Sequence, residues 1–412
     1  RRVAMRLLFL STMFPDGEHP SRGIYNYELC RALARDHEVH VICPRPWPEM
    51  VRSRLNRQNC PEDPVTESAG LGCSRPGYWY PPKVLRTRYG EFLWRSIRST
   101  VRRLEKTFRP DAVLSYWAHP DGEAAQCAAR GVGVPHAVIV GGSDVLLLPK
   151  CRARGTRVKQ VLAESDAVIA VSEGLRQSVI KLGTPAETVH TIRQGVDPER
   201  FHPDADDGMR HRFDLPGDRP VLLWVGRMVG VKGLDVLIDS CARLSSSGRS
   251  FLLCLIGGGP DQPAVEQLVE ERGLTDSVRF VGTVGHDALP HWYRAADVTL
   301  LSSWSEGLPN VLRESQARGT PFVSTDVGSI GEIADDRFAV LVKSGDAAGL
   351  ADGIRDVLDG ARRAAARAYV ARTWSDCASD VAGLFEQLRS ARSARREQPV
   401  ARRDRERATA GV

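Results

Sequence analysis

Two glutamates, Glu306 and Glu314, stand eight residues apart in the segment SSWSEGLPNVLRESQARGTP, which spans residues 302–321. A short apolar strand precedes the segment, so Glu306 falls in a turn and Glu314 about two turns into the following helix. Gly307 lets the backbone approach a ligand closely, and Pro309 suits the first helical turn. A helix N-terminus attracts anions such as a diphosphate, and carboxylates accept hydrogen bonds from sugar hydroxyls. An acidic helix cap beside an unrelated surface glutamate would have the same spacing.

A basic pair, Arg227 and Lys232, follows an earlier apolar strand at residues 221–225. Arginine forks onto phosphate oxygens, and lysine adds a compact positive charge. Ligands of parallel α/β sheets bind beyond the carboxyl ends of the strands, where this pair lies. A solvated helix start is the simpler interpretation of Lys232 alone. The basic pair and the glutamate pair together favour a binding site for a phosphorylated sugar derivative.

At this point the segments VGRMVGVKG and SWSEGLPNVLRESQARGTP resemble the donor-site motifs of retaining glycosyltransferases of family 4, which have the GT-B fold. The resemblance extends over almost the whole chain. It includes FPDGEHPSRGIYNYELCRAL near the N-terminus, VSEGLRQSVIKLG and QGVDPERFHP in the middle, and LIGGGPD, FVGTV and WYRAADVTLLSS in the second half. The combination is specific for the family and says little about the substrate.

The resemblance implies an α/β fold with two doubly wound, Rossmann-like domains that face a central cleft. It implies retaining transfer of a hexose from a nucleotide-diphosphate sugar to a glycan, a lipid-linked glycan or a small molecule, as in cell-envelope or exopolysaccharide biosynthesis. The expected catalytic residues are Glu306, beside the sugar, and Arg227 and Lys232, beside the diphosphate. The other donor-binding residues implied are Gly23, Gly257, Gly258, Gly259, Gly307, Leu308, Pro309, Asn310 and Glu314. Of these, Glu314 is expected to accept hydrogen bonds from the ribose hydroxyls. Neither a cofactor nor a metal is implied, and no protein nucleophile is named because the family is thought to use front-face displacement.

The chain departs from the family at Gly141, where many members carry a histidine that meets the donor sugar. Ser143, Asp144 and His119 are the candidates for that contact, since all three follow apolar strands of the first half. A loop histidine such as His119 is more often structural or solvated. Two other functions stay open beside transfer: a sugar-nucleotide epimerase of the same fold, and a non-catalytic subunit that binds nucleotide or polysaccharide.

Apolar runs of strand length alternate with helical patterns, which predicts parallel sheets covered on both faces. Strands are expected at residues 6–11, 39–43, 112–116, 136–140, 167–171 and 189–193, and then at 221–225, 252–256, 278–281, 298–301, 322–324 and 339–342. We predict an N-terminal acceptor-side domain over 1–196, a Pro- and Asp-rich hinge over 197–219 and a donor domain over 220–374. By the resemblance, a helix over 375–390 crosses back to the first domain. An Arg-rich, disordered tail is expected over 391–412.

Two further segments of the first half are candidates for acceptor recognition and for membrane attachment. Residues 44–82 are rich in Pro and Arg with interspersed aromatics, and a long loop in this position suggests acceptor recognition. A helix predicted over 84–108 has an apolar stripe and many arginines on its other faces. Such a helix either lies on an anionic membrane or is an ordinary domain helix with a solvated basic face.

Length and composition limit the number of domains and the cellular location that can be expected. The chain has 412 residues, of which 42% are hydrophobic and 26% charged, and this length is sufficient for two or three domains. No apolar run reaches the ~20 residues of a membrane span. The short N-terminal apolar run, entered from Met5 as the expected natural start, fits a first strand better than a secretion signal, so a cytoplasmic enzyme is expected, with peripheral membrane attachment left open.

The polar and sulfur-containing residues exclude several kinds of site. The nine cysteines show no CxxC pair, which favours reduced thiols over a disulfide framework or a zinc site. The net charge of +6 comes without a nucleic-acid-binding motif, so sugar nucleotides and anionic membranes are the expected partners. Asp204 and Asp206 have the spacing of a DxD metal motif, but they lie in the predicted hinge and not at the end of a strand. His286 and His291 do not share a helical face, as a pair of metal ligands would. No metal site is therefore predicted. Gly257–Gly259 lack the third glycine of a dinucleotide fingerprint.

Overall fold

Two parallel β-sheets, one in each half of the chain, dominate the computed structural model, which describes residues 4–55, 69–203, 208–360 and 362–397. The predicted GT-B-like α/β fold is therefore confirmed. Asp204, Asp206, Cys60, residues 1–3 and part of the 44–82 segment lie outside the described residues, as do residues 398–412 of the predicted tail.

The first sheet has the strand order β4-β2-β1-β6-β7-β8-β9. Its strands, with a separate two-stranded pair β3-β5, are β1 (Arg6–Leu10), β2 (Glu38–Ile42), β3 (Arg45–Pro46), β4 (Gly72–Ser74), β5 (Gly77–Tyr78), β6 (Ala112–Tyr116), β7 (His136–Val140), β8 (Ala167–Ala170) and β9 (Val189–Thr191). The helices around it are α1 (Ile24–Leu33), α2 (Trp47–Leu55), α3 (Tyr89–Thr107), α4 (Glu123–Val132), α5 (Ser143–Leu146), α6 (Arg152–Glu164) and α7 (Glu173–Lys181).

The second sheet has the order β12-β11-β10-β13-β14-β15. It consists of β10 (Val221–Val225), β11 (Leu252–Ile256), β12 (Val278–Gly282), β13 (Val298–Leu301), β14 (Phe322–Thr325) and β15 (Ala339–Val342). The remaining helices are α8 (Met209–Arg212), α9 (Leu234–Ser246), α10 (Gln262–Glu271), α11 (Leu289–Ala295), α12 (Asn310–Ala317), α13 (Ala347–Asp359), α14 (Arg362–Arg367) and α15 (Trp374–Glu397).

All twelve predicted strands are present, with ends within two residues of the expected ones. The central strands β7 and β10 are buried along their whole length, which is why they read as continuous apolar runs. The Pro-rich segment 44–82, for which the sequence predicts a loop, contains the short strands β3, β4 and β5. There, β4 pairs with the edge of β2 and continues the first sheet.

Helix α15 packs on the first domain, although it follows the second domain in the chain. Its residues Val381 and Phe385 belong to the same buried cluster as Leu29 and Leu33 of α1. The helix continues through residues 391–397, so the prediction that the disordered tail begins at residue 391 is wrong for these residues. Arg392 explains the extension in part, since its guanidinium lies 3.2 Å from both carboxylate oxygens of Asp166.

The helix expected over 84–108 begins at Tyr89 as α3, after a 3₁₀ turn at Arg86–Arg88. No helix in the described part of the chain is long and apolar enough to cross a membrane. Within the described ranges, no three His, Cys, Asp or Glu side chains are grouped so that they could hold a metal ion.

Candidate active site

Glu306 and Lys232 form an ion pair where the second sheet's strands end. Lys232 Nζ donates to Glu306 Oε1 at 2.6 Å, and Ser303 Oγ donates to the same oxygen at 2.6 Å. The Lys232 side chain is 22% exposed and the Glu306 side chain is 11% exposed. Both bonds end on Oε1, so Oε2 has no protein donor among the described residues. The structure thus brings two of the three predicted catalytic residues together, with one carboxylate oxygen left for another group.

The loops that carry this pair are locked to each other through their backbones. Gly233, with φ of 59°, lies so close to the carbonyl of Ser302 that a β-carbon there would clash with it. Trp304 N donates to Val231 O at 2.8 Å, and Ser302 Oγ donates to Lys232 O at 3.0 Å. The turn before α9 and the loop after β13 therefore form one unit, which fixes the Lys232–Glu306 geometry.

The predicted glycine loop supports the segment that carries Arg227. Met228 N donates to Gly258 O at 3.0 Å, and a β-carbon on Gly259 would clash with the carbonyl of Met228. Gly257 packs in the same way against the carbonyl of Gly226. Arg227 itself is exposed at the end of β10. Its side chain is therefore accessible to a ligand on the same edge of the sheet as Lys232.

Glu314, the predicted ribose ligand, is only 3% exposed and accepts three hydrogen bonds from the protein. Tyr25 Oη and His286 Nε2 lie 3.1 and 3.0 Å from its Oε1, and Tyr293 Oη lies 3.0 Å from its Oε2. Burial raises the pKa of Tyr25 and Tyr293 well above the usual value, so both hydroxyls are donors. Tyr25 belongs to the first domain. The structure does not leave Glu314 open beside Glu306, and a contact with ribose requires Tyr25 to move.

The predicted donor-binding residues 307–310 contact the first domain as well as the second. A β-carbon on Gly307 would lie 2.7 Å from Gly141 O. The Leu308 side chain is buried in the core of the first domain. Pro309 precedes α12 as its N-terminal cap residue rather than lying in the first turn. Asn310 starts the helix, and its Oδ1 is buried without a hydrogen-bond partner in the described part of the chain.

Gly23 lies at the border of the two domains. It caps α1 with φ of 60°, and a β-carbon there would clash with the carbonyl of Met13. Two residues later, Tyr25 reaches across to Glu314. The first loop therefore faces the second domain.

Two of the three candidates for the missing histidine's role have protein partners. His119 is buried, with Nδ1 3.1 Å from Glu123 Oε2 and Nε2 3.0 Å from Arg86 O. Asp144 is buried, and it accepts bonds from the backbone N–H groups of Gly141, Gly142 and Ala118 at 3.0 to 3.3 Å. Burial raises the pKa of Asp144 to about 6, although these donors lower it.

Of the three candidates, Ser143 alone is exposed. His119 and Asp144 hold their loops in shape, so a direct contact with a sugar remains a prediction for Ser143 and requires rearrangement for the other two. The sequence did not point to Tyr25 or Tyr293, because each is an ordinary helical aromatic whose partner is distant in the chain.

Tyr116 occupies the space that a side chain at position 141 would enter. A β-carbon on Gly141 would clash with Tyr116 Oη and lie 2.8 Å from Cζ of the same ring. The histidine of the family therefore cannot be restored here unless Tyr116 moves.

We expect Gly141→Ala to lower the free energy of unfolding by about 1 to 3 kcal/mol, as overpacking does. Urea unfolding measures the change. Tyr116→Phe in the Gly141→Ala background removes the closest atom and is expected to restore part of the loss. Gly131→Ala is the matched control, because nothing lies within 4 Å of its added β-carbon. Equal stability of Gly141→Ala and wild type would contradict the packing argument.

Two parallel-sheet α/β domains, with Lys232 paired to Glu306 and Arg227 exposed at the strand ends of the second sheet, are the architecture and side chains expected of a glycosyltransferase of the GT-B class. Comparison with family models agrees: residues 23–200 match "Glycosyltransferase Family 4" and residues 207–374 match "Glycosyl transferases group 1". The chain belongs to the family 4 glycosyltransferases with the GT-B fold.

Relatives and solved structures are consistent with this assignment. The chain is 26% identical to TuaC of Bacillus subtilis, a glycosyltransferase named for teichuronic acid biosynthesis, over 85% of this chain and 88% of the relative. It is 34% identical to D-inositol 3-phosphate glycosyltransferase 2 of Catenulispora acidiphila, over 63% of this chain and 65% of the relative. Sucrose-phosphate synthase of Thermosynechococcus elongatus has the same fold, with a TM-score of 0.74, 20% identity and coverage of 94% and 100% of the two chains.

Proposed function

We propose that this glycosyltransferase moves a hexose, with retention of configuration, from a nucleotide-diphosphate sugar to a glycan, lipid-linked glycan or small-molecule acceptor. The observation that carries the proposal is the Lys232–Glu306 pair at the domain border, with Arg227 exposed on the same sheet edge. The solved structure of Anabaena HepE, which shares the fold with a TM-score of 0.69 and 17% identity over 95% of this chain, contains UDP and glucose. The name of TuaC supports a role in cell-envelope polysaccharide biosynthesis.

The proposed roles of the side chains follow from the charges that develop during sugar transfer. As the bond from the anomeric carbon to the phosphate oxygen breaks, negative charge grows on the diphosphate and positive charge on the sugar. Lys232 and Arg227 stabilise the diphosphate, and the carboxylate of Glu306 stabilises the sugar. The acceptor oxygen attacks the face that the diphosphate leaves, and its proton passes to a phosphate oxygen. No metal is required in this scheme, because two basic side chains supply the positive charge.

Nucleotide binding tests the proposal directly. Melting curves with UDP, GDP, ADP and TDP, recorded without metal, should show a shift for the nucleotide of the donor. A ligand at a hundred times its Kd adds about 2.7 kcal/mol to the free energy of unfolding. A shift with one nucleotide identifies the base and directs the screen for the sugar. The absence of a shift with all four would contradict the proposal.

We further propose that the enzyme docks at the cytoplasmic face of an anionic membrane through α3 and the residues beside it. Leu93, Ile97 and Val101 of α3 are buried, and the opposite side carries exposed basic residues. These are Arg95, Arg98, Arg102 and Lys106, at spacings of three or four residues. Trp79 is 59% exposed, and its backbone N–H donates to Ser96 of α3 at 3.1 Å. An exposed aromatic beside a basic stripe is typical of interfacial attachment.

Charge reversal of the stripe tests this docking. Each basic residue near an anionic surface contributes about 1 kcal/mol, so Arg98→Glu with Arg102→Glu should weaken binding to vesicles with 30% phosphatidylglycerol by at least about tenfold. Co-sedimentation measures the binding. Arg212→Glu with Arg243→Glu, two exposed arginines of the second domain, is the control. If both double variants bind equally well, the basic stripe is merely a solvated helix face.

A further inference from the structure

The first turn of α7, in the first domain, is capped by a carboxylate of the second domain. A helix leaves its first N–H groups without partners inside the helix. The side chain of Ser172 accepts from Leu175 N at 3.2 Å, as a usual cap does. The two preceding N–H groups, of Glu173 and Gly174, donate to Glu332 Oε2 and Oε1 at 3.0 and 2.8 Å. Glu332 of the second domain thus completes the N-terminal cap of a helix that belongs to the first domain.

Other contacts reinforce this clamp. Ser329 Oγ donates to Ser172 Oγ at 2.8 Å, and Arg193 Nη2 lies 3.1 Å from Glu332 Oε2. Gly174 leaves room for the approach, because a β-carbon there would lie 2.5 Å from Ser329 Oγ. Burial works to raise the pKa of Glu332, but the bonds from the two backbone N–H groups and Arg193 outweigh it, so the pKa is lowered. The clamp therefore holds a charged carboxylate at the positive end of a helix.

The opposite side of the same segment supports the Glu306 loop. A β-carbon on Gly328, whose φ is 62°, would clash with the carbonyl of Glu306. Ser329 N donates to Gly307 O at 3.1 Å. The turn at residues 328–332 therefore lies between α7 and the peptide that joins Glu306 to Gly307. A displacement of this turn would therefore act directly on the backbone that carries Glu306.

We propose that Glu332 is a positioning residue that couples closure of the two domains to the placement of Glu306. When the cleft closes, the N–H groups of α7 dock on Glu332, which fixes the 328–332 turn and with it the Glu306–Gly307 peptide. When the cleft opens, these N–H groups bind water instead of Glu332. The 328–332 turn then keeps its contacts with the Glu306–Gly307 peptide but loses its contacts with α7. The inference rests on the proposed function for the role of Glu306, whereas the clamp itself can be tested without any substrate.

Hydrogen exchange tests the clamp in the absence of a donor. In Glu332→Ala, exchange in peptides that span residues 168–181 is expected to be at least about tenfold faster at the start of α7, the scale of losing a bond to a charged group. Exchange in the second half of the helix should not change. Glu332→Gln keeps one acceptor oxygen, so its exchange rate at the start of α7 should lie between those of wild type and Glu332→Ala. This variant replaces Glu332→Ala in the test if the alanine variant does not fold. Glu266→Ala removes an exposed carboxylate of the second domain and is the control.

Kinetics tests the positioning role. We expect Glu332→Ala to lower kcat about 10- to 100-fold, the effect of a small misplacement of a catalytic group, with the Kd for the nucleotide within about twofold of wild type. Glu332→Asp, which retains the charge, should recover part of the loss. Unchanged exchange at the start of α7 would overturn the clamp, and faster exchange with unchanged kcat would overturn the positioning role. Failure of all nucleotides to bind would contradict the proposed function and leave the exchange result to decide the clamp.

Discussion

Glu306→Gln is expected to abolish sugar transfer, with turnover below about a thousandth of wild type, while the protein remains folded. The substitution removes the negative charge that we propose stabilises the developing cation, and it preserves the shape of the side chain. The amide oxygen can still accept from Ser303 Oγ and Lys232 Nζ. The ion pair with Lys232 is mostly buried, but the amide oxygen keeps the acceptor, so the free energy of unfolding should fall by no more than about 1 to 3 kcal/mol.

Release of nucleoside diphosphate from the donor measures turnover of this variant, and a melting curve measures its stability. Glu270→Gln, an exposed position on α10, is the matched control and should behave like wild type in both assays. A Glu306→Gln protein that transfers sugar at a near-normal rate would remove Glu306 from the reaction. A protein that no longer folds would show that the carboxylate is structural.

Lys232→Ala and Arg227→Ala should each lower kcat/KM at least about 10²-fold, as the loss of a preorganised group that stabilises transition-state charge does. The two substitutions differ in one respect. Lys232 also holds Glu306 Oε1 at 2.6 Å, whereas Arg227 is exposed earlier in the same connection between β10 and α9. We therefore expect the larger loss for Lys232→Ala, because it removes a charge from the proposed diphosphate site and also leaves the Glu306 carboxylate without its ammonium partner.

Steady-state kinetics with the donor identified by the melting curves decides between these effects. Lys159→Ala and Arg243→Ala remove exposed basic side chains elsewhere and should leave kcat/KM unchanged. Near-normal turnover of either active-site variant would refute its assignment to the diphosphate. Equal losses in the two variants would indicate that the Lys232–Glu306 bond contributes nothing beyond the shared electrostatic effect.

The architecture was predictable because strands buried on both faces, such as β7 and β10, must be apolar along their whole length. The meeting of Lys232 and Glu306 was predictable as well, since the carboxyl ends of parallel strands share one edge of the sheet. The Pro-rich segment hid β4, whose three residues carry no apolar run and become a strand by pairing with β2.

The contacts between the domains were not predictable. Tyr25 and Glu314 are 289 residues apart, and Glu332 reaches N–H groups about 160 residues before it, at separations of 158 and 159. Backbone N–H groups have no sequence signature, and neither does the space that Tyr116 takes beside Gly141. His119 and Asp144 were placed correctly in loops after strands, but a loop position does not reveal that a side chain already has partners within the protein.

The position of α15 has a consequence for the synthesis of this protein. Because Val381 and Phe385 belong to the core of the first domain, that core lacks part of its apolar surface until α15 has left the ribosome. The second domain, which is made in between, has its own sheet and can form earlier. We therefore expect the domain that is translated first to be the one completed last. A nascent chain stalled before residue 374 should expose α1 to proteases, and release of the full chain should protect it.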